Sequence, residues 1–131
     1  MKIKPLAFIF LALLSFTSCE EDKTLKVTKM DSFPADIMGC SCYFAENEAD
    51  FKAQKYIYVD SYERNPAYIS IDGKLVAVNA EKSETKGYSI ILEIDQKIQL
   101  DQELYHKEGT ITIVHESGAV TTRPIYGECG C

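Results

Sequence analysis

Tyr88-Ser89-Ile90-Ile91-Leu92-Glu93-Ile94-Asp95-Gln96-Lys97-Ile98-Gln99-Leu100 is the longest periodic run in the chain. Tyr88, Ile90, Leu92, Ile94, Ile98 and Leu100 recur at a spacing of two or a multiple of it. Glu93, Asp95, Lys97 and Gln99, with Ser89 and Ile91, fill the alternate positions. Spacing two collects side chains on opposite faces of a strand, whereas a helix would scatter the same residues around its axis. The run therefore predicts a half-buried strand, bent near Asp95-Gln96.

Shorter alternating stretches surround it. Gly39 to Ala45, Lys55 to Tyr62, Tyr68 to Ile71, Lys74 to Ala80, Thr110 to His115 and Val120 to Gly127 each read as strands. Asp72-Gly73 joins two of them and is the strongest hairpin signal, because a tight I′ turn needs positive φ at both central residues. Arg64-Asn65-Pro66 and Ser117-Gly118 are further turns. Glu81 to Gly87 and Asp101 to Gly109 read as exposed polar loops. Asn47-Glu48-Ala49-Asp50 has the form of a helix start, room for a single turn. The expected fold is all-β: a small antiparallel sandwich or barrel of about seven strands, with sequential hairpins suggesting a meander.

Two cysteine pairs bracket this pattern, Cys40-Ser41-Cys42 and Cys129-Gly130-Cys131. On a strand, residues i and i+2 share a face. Adjacent antiparallel strands would match Cys40 with Cys131 and Cys42 with Cys129; Cys40–Cys129 with Cys42–Cys131 is left open. A bridge within one cluster would strain disulfide geometry. A bridge between clusters closes a loop of nearly 90 residues, worth roughly 4–5 kcal/mol as an upper figure in the loop-entropy relation. The alternative is a thiolate site for Zn²⁺ or Cu(I). A redox-active pair would normally be Cys-x-x-Cys at a helix start, and neither cluster has that setting.

The first 18 residues carry a basic start (Lys2, Lys4), an apolar stretch from Leu6 to Leu14, and Phe16-Thr17-Ser18 before Cys19. Leu6 to Leu14 is too short to span a bilayer, which takes about 20 residues. The segment resembles the type II signal peptide of bacterial lipoproteins, in the looser form found in Bacteroidota; Phe16 stands where leucine is usual. The resemblance implies that residues 1–18 are removed, that Cys19 carries the lipid (palmitate among its acyl chains), and that the chain is anchored to the outer membrane, at its periplasmic face or the cell surface. Glu20-Glu21-Asp22-Lys23 resembles the surface-export signal of such lipoproteins. Residues 19–32 then read as lipidated cysteine and flexible tether, and residues 33–131 as one β domain. Setting Cys19 aside makes the cysteine count even, and an exported chain favours disulfides.

Beyond residue 18, 12 basic side chains face 20 acidic ones, a net side-chain charge of −8. That argues against nucleic-acid binding and against docking on anionic lipid by charge; the acyl chains would hold the membrane. No phosphate-cradling glycine loop, dinucleotide fingerprint or Gly-x-Ser-x-Gly elbow occurs, and no cofactor is expected. Asp60 with Glu63, and the group Glu46, Glu48 and Asp50, are candidate paired carboxylates or calcium ligands but read better as solvated loops. His106 and His115 read as a solvated and a strand-end histidine. Tyr56, Tyr58 and Tyr62 alternate with Ile57 and Val59, so they share a face that could serve a protein or glycan partner. A small anchored β domain with cysteine-stapled ends also resembles, weakly, the membrane-bound lysozyme inhibitors, through the Asp72-Gly73-Lys74 and Ser117-Gly118 turns. It departs from them in lacking tryptophan, in having four domain cysteines, and in lacking an extended cleft-plugging loop. The expected function is a non-enzymatic envelope module, binding or structural, with a lysozyme-like-hydrolase inhibitor and a thiolate metal-binding protein as alternatives.

Overall fold

The computed structural model describes residues 24–62, 64–79 and 87–131. The signal segment, Cys19, the acidic run after it, Glu63 and the expected loop at residues 81–86 lie outside the described residues. Seven strands follow one another: β1 (Ser41–Ala45), β2 (Tyr58–Ser61), β3 (Ala67–Ile71), β4 (Lys74–Val78), β5 (Tyr88–Asp101), β6 (Leu104–His115) and β7 (Val120–Gly130). A short helix, α1 (Glu48–Lys52), sits between β1 and β2. Asn47 caps it by accepting the Asp50 N–H at 2.8 Å, which satisfies an otherwise orphan donor. All strand pairs are antiparallel in a single sheet of order β4-β3-β2-β1-β7-β6-β5.

This order is two meanders, β1 to β4 and β5 to β7, joined by the pairing of the first strand with the last. Cys42 stands directly opposite Cys129 with Cα atoms 4.0 Å apart, and the register carries Cys40 to Cys131. Both pairs are disulfides, in the first of the two connectivities that strand geometry allows. All four sulfurs are thereby consumed, which overturns the thiolate metal site.

The sheet curls so that its two ends face each other. Ile69, Ile71 and Val78 from one meander join Ile90, Ile111, Ile113 and Ile125 from the other in one buried cluster. No ladder links β4 to β5 among the described residues, so both remain edges of an open barrel. The alternating run from Tyr88 to Leu100 does form one strand, with its bend where expected. Ile94 pairs with Gly109 and Gln96 with Glu108, so Asp95 is an extra, bulged residue. Gly109 makes the bulge possible: a Cβ there would lie 1.9 Å from the Glu93 carbonyl oxygen. The bulge inverts the facing of residues 96–99, up to a second bulge at Leu100. Lys97 and Gln99, expected on the outer face, share the inner face with Lys107 and Tyr105, though both stay exposed, and Ile98 turns outward opposite His106.

Two expectations are corrected. The segment Asp101 to Gly109 is not a loop: β6 begins at Leu104, and Gln102-Glu103 alone make the turn. Neither residue takes a positive φ, so the turn needs no glycine; Asp101 Oδ1 accepts the Gln102 N–H and the Gln99 amide donates to the Asp101 and Gln102 carbonyls, which fasten it. Nor is the expected tether free throughout: residues 25–30 pack on the domain. Val27 bridges Ile71, Thr28 and Lys26 exchange backbone hydrogen bonds with Ser70 and Asp72, and the Leu25 backbone bonds to the Thr121 hydroxyl. This strap lies across one mouth of the curled sheet, with Leu25 and Val27 packed on the main core. Met30, 5% exposed, then anchors a second cluster on the outer face with Ile37, Ala45, Tyr56 and Val59.

Two outcomes follow in denaturant unfolding. With one bridge intact, the other closes only the small ring Cys40-Ser41-Cys42-Cys129-Gly130-Cys131. Removing either bridge alone as a Cys→Ala pair is therefore expected to cost about 2 kcal/mol, and removing both about 5–7 kcal/mol, from the loop-entropy relation. Equal costs for the single-bridge and double-bridge losses would contradict the shared seam. Met30→Ala is expected to cost about 2–4 kcal/mol as a core truncation; a cost near zero would return this residue to the tether.

Candidate functional site

The strap covers one mouth of the barrel and the other stays open. There a cavity of about 660 Å³ opens between the disulfides, the β2–β3 turn and the β5–β6 hairpin. Its apolar side is formed by Phe44, Leu92 and Ile94 beside the Cys42–Cys129 bridge. Phe44 reaches this place because Gly127 stands opposite it on β7: a Cβ on Gly127 would come within 2.8 Å of the Phe44 ring and 2.0 Å of the Tyr43 carbonyl oxygen. The Phe44 ring stacks on Tyr58 at 5.9 Å.

The polar side centres on Asp60. It is 1% exposed, an unusual place for a carboxylate, and each of its oxygens has a partner. Oδ2 accepts the Tyr58 phenol proton at 2.5 Å and Oδ1 accepts the Cys42 N–H at 3.2 Å. Burial pushes the Asp60 carboxyl above the ordinary carboxylate range, against the opposing pull of the Tyr58 hydrogen bond, the Cys42 N–H, Arg64 and Lys107. Burial, then the neighbouring Asp60 charge, raises the Tyr58 phenol, with Arg64 opposing. Arg64 has a left-handed backbone (φ 61°) in the turn that holds the cis Asn65–Pro66 bond, and it lines the cavity. Lys97 and Lys107 line the facing wall as a directly opposed cross-strand pair. Burial, then the Lys97 charge, lowers the Lys107 ammonium; Asp60 acts the other way.

The expected tyrosine face does not form. Tyr58 is 0% exposed and lies in the main core; Tyr56 is buried in the outer cluster; Tyr62 alone is open, at 77%. The strict alternation fails just before β2, where Ile57 and Tyr58 both join the interior cluster while Val59 joins the outer one. What the outer face presents instead is an aromatic group under α1, in which Phe51 meets Tyr43, Tyr56 and Tyr126 at 5.7–5.9 Å.

The other candidates separate in space. His106 bonds Glu108 at 2.9 Å and touches the Tyr126 ring, whereas His115, at the far end of β6, meets Ser117 and Tyr88. Glu46, Glu48 and Asp50 go to three different cations, Arg123, Lys52 and Lys29. Among the described residues no three His, Cys, Asp or Glu side chains gather as a metal site. Sequence reasoning missed Lys97, Lys107 and Arg64 as cavity residues. Lys97 was hidden by the bulge, and Lys107 by reading its strand as loop; Gly109 between two polar stretches was the available sign.

No family model, curated protein or solved structure matches this chain.

The raised Asp60 value fixes a sign. A group that binds its proton more tightly when folded stabilises the fold fully below its unfolded value, about 3.9, and that contribution is lost as pH rises through the folded value. In urea unfolding from pH 3.5 to 7.5, the stability of the native chain relative to Asp60→Asn is expected to fall with rising pH. A difference that grows with pH would mean that Arg64 and Lys107 outweigh burial.

Proposed function

We propose that this chain is a lipid-anchored, non-catalytic binding module of the bacterial envelope, and that its ligand is a small molecule seated in the open mouth of the curled sheet. The observation that carries the reading is the cavity between the disulfides and the β5–β6 hairpin. Its volume of about 660 Å³ falls in the range of small-molecule sites. Its lining combines an apolar wall with a few polar side chains, the composition such sites share. The frame is fixed covalently on one side, which limits the ordering cost of binding.

The non-catalytic reading rests on how the acid is used. A general base must reach the substrate's proton, and Asp60 is 1% exposed with its two oxygens turned to the Tyr58 hydroxyl and the Cys42 N–H. Both histidines lie outside the cavity lining. The anchor reading rests on the resemblance of residues 1–19 to a lipoprotein signal, and it would set the module at the outer membrane with its cavity facing solvent. The Asp72-Gly73 hairpin, which underlies the likeness to lysozyme inhibitors, is a tight turn with φ of 51° and 76°, and its Gly73 N–H is bonded by Thr28. It offers no extended loop to a catalytic cleft, so an inhibitory role is the weaker reading.

The test uses the processed full chain purified from a bacterial envelope and examined by native mass spectrometry. Wild-type chain is expected to carry the lipid mass on Cys19 and a retained small-molecule mass. Ile94→Trp, which fills the cavity from a partly exposed position, is expected to keep the lipid and lose the small molecule. Cys19→Ser is expected to leave the lipid off and move the chain out of the membrane fraction. Retention of the same small molecule by Ile94→Trp would place it elsewhere, and an unlipidated wild-type Cys19 would remove the anchor.

A further inference from the structure

Lys97 and Lys107 occupy directly opposed positions of β5 and β6, on the interior face. Like charges directly across an antiparallel pair destabilise it. Neither lysine has a carboxylate oxygen within 4.0 Å among the described residues. Lys97 instead rests its ammonium over the Tyr105 ring, 4.5 Å from the centroid. Asp60 is near enough to act on Lys107 through its field, but its oxygens are engaged by Tyr58 and Cys42. The chain as a whole is acidic, with 20 carboxylate side chains to 14 basic ones. A cationic pair left without carboxylate contact in such a chain, and turned inward by a bulge, is a local departure from the overall charge.

The wall next to this pair is apolar: Leu92 and Ile94 precede Lys97 on the same face of β5, and Phe44 lies across the cavity. We infer that the cavity takes an amphiphilic organic anion, with an acidic head such as a carboxylate between Lys97 and Lys107 and a compact apolar body against Phe44, Leu92 and Ile94. This rests on the cavity reading above and adds the charge and shape of the occupant. The head relieves the repulsion between the two ammonium groups and makes charge-assisted hydrogen bonds to both. The body replaces water on the apolar wall.

The experiment is isothermal titration of the full chain with 2-naphthoate and with 2-naphthamide, which share a body and differ in head charge. Wild-type chain is expected to bind the acid about tenfold or more tightly than the amide, the scale of one charge-assisted contact. Lys97→Gln with Lys107→Gln is expected to abolish that preference while leaving amide binding in place. The same double variant, free of probe, is expected to melt at a higher temperature than wild type, because the repulsion is gone; this also shows that it folds. Equal binding of acid and amide by wild type would overturn the anion inference and leave the cavity reading standing. Unchanged preference in the double variant would overturn the assignment to these lysines. Failure of wild type to bind either probe would overturn the cavity reading itself.

Discussion

Among the described residues, the pairing of β1 with β7 is the only strand pairing between the two meanders. Each meander alone is a three- or four-stranded ribbon whose apolar inner face it cannot cover by itself. Joined edge to edge, the two ribbons twist in the usual right-handed sense and curl until their apolar faces meet. Ile69 and Ile71 then face Ile111 and Ile113 in a shared core. The two disulfides sit on this junction, one directly opposite pair and the next one along the register. Because the bridged residues are 87 and 91 apart in sequence, the bridges act on nearly the whole β domain. A small domain buries a limited fraction of its surface, so such staples carry a large share of its stability.

The same junction explains the cavity. Curling leaves two mouths, and only the one near Thr121 and Ser70 is crossed by the strap of residues 25–30. At the other mouth the chain has placed a buried Asp60 with its Tyr58 partner, two lysines without a carboxylate contact among the described residues, and two bulges in β5, at Asp95 and Leu100. Bulges also blunt the exposed edge of β5, an edge long enough to invite pairing with another chain. Departures from ideal sheet construction are thus concentrated around one opening. Local rules broken at one place in an otherwise consistent fold support the cavity as the proposed site.

Much of this architecture was legible from residue order. The alternation over Tyr88 to Leu100 gave the longest strand, and its bend was visible where Asp95-Gln96 interrupts the apolar series. Asp72-Gly73 specified its own turn, Asn47 its own helix cap, and the two Cys-x-Cys clusters an antiparallel match. What escaped depends on contacts distant in sequence. A bulge is set by two strands together, so the inward turn of Lys97 needed Gly109 across the ladder. Tyr58 looked exposed by alternation, but a tyrosine can be buried when its hydroxyl has an acceptor, and Asp60 supplies it. The Gln102-Glu103 turn needs no glycine because neither residue takes a positive φ, and Asp101 and Gln99 side chains fasten it. Leu25, Val27 and Met30 are too sparsely spaced to announce a strap; their burial follows only once the mouth they cover exists.

Amide hydrogen exchange on the oxidised and the reduced full chain tests the role of the β1–β7 junction most directly. If the junction organises the fold, reduction speeds exchange throughout β1, β6 and β7 and in β2 and β3, because both meanders lose their common cover together. Faster exchange confined to residues 40–42 and 129–131, with Ile69, Ile111 and Ile113 as protected as before, would contradict it: the core would then hold without the clasp, and the disulfides would be local fastenings only.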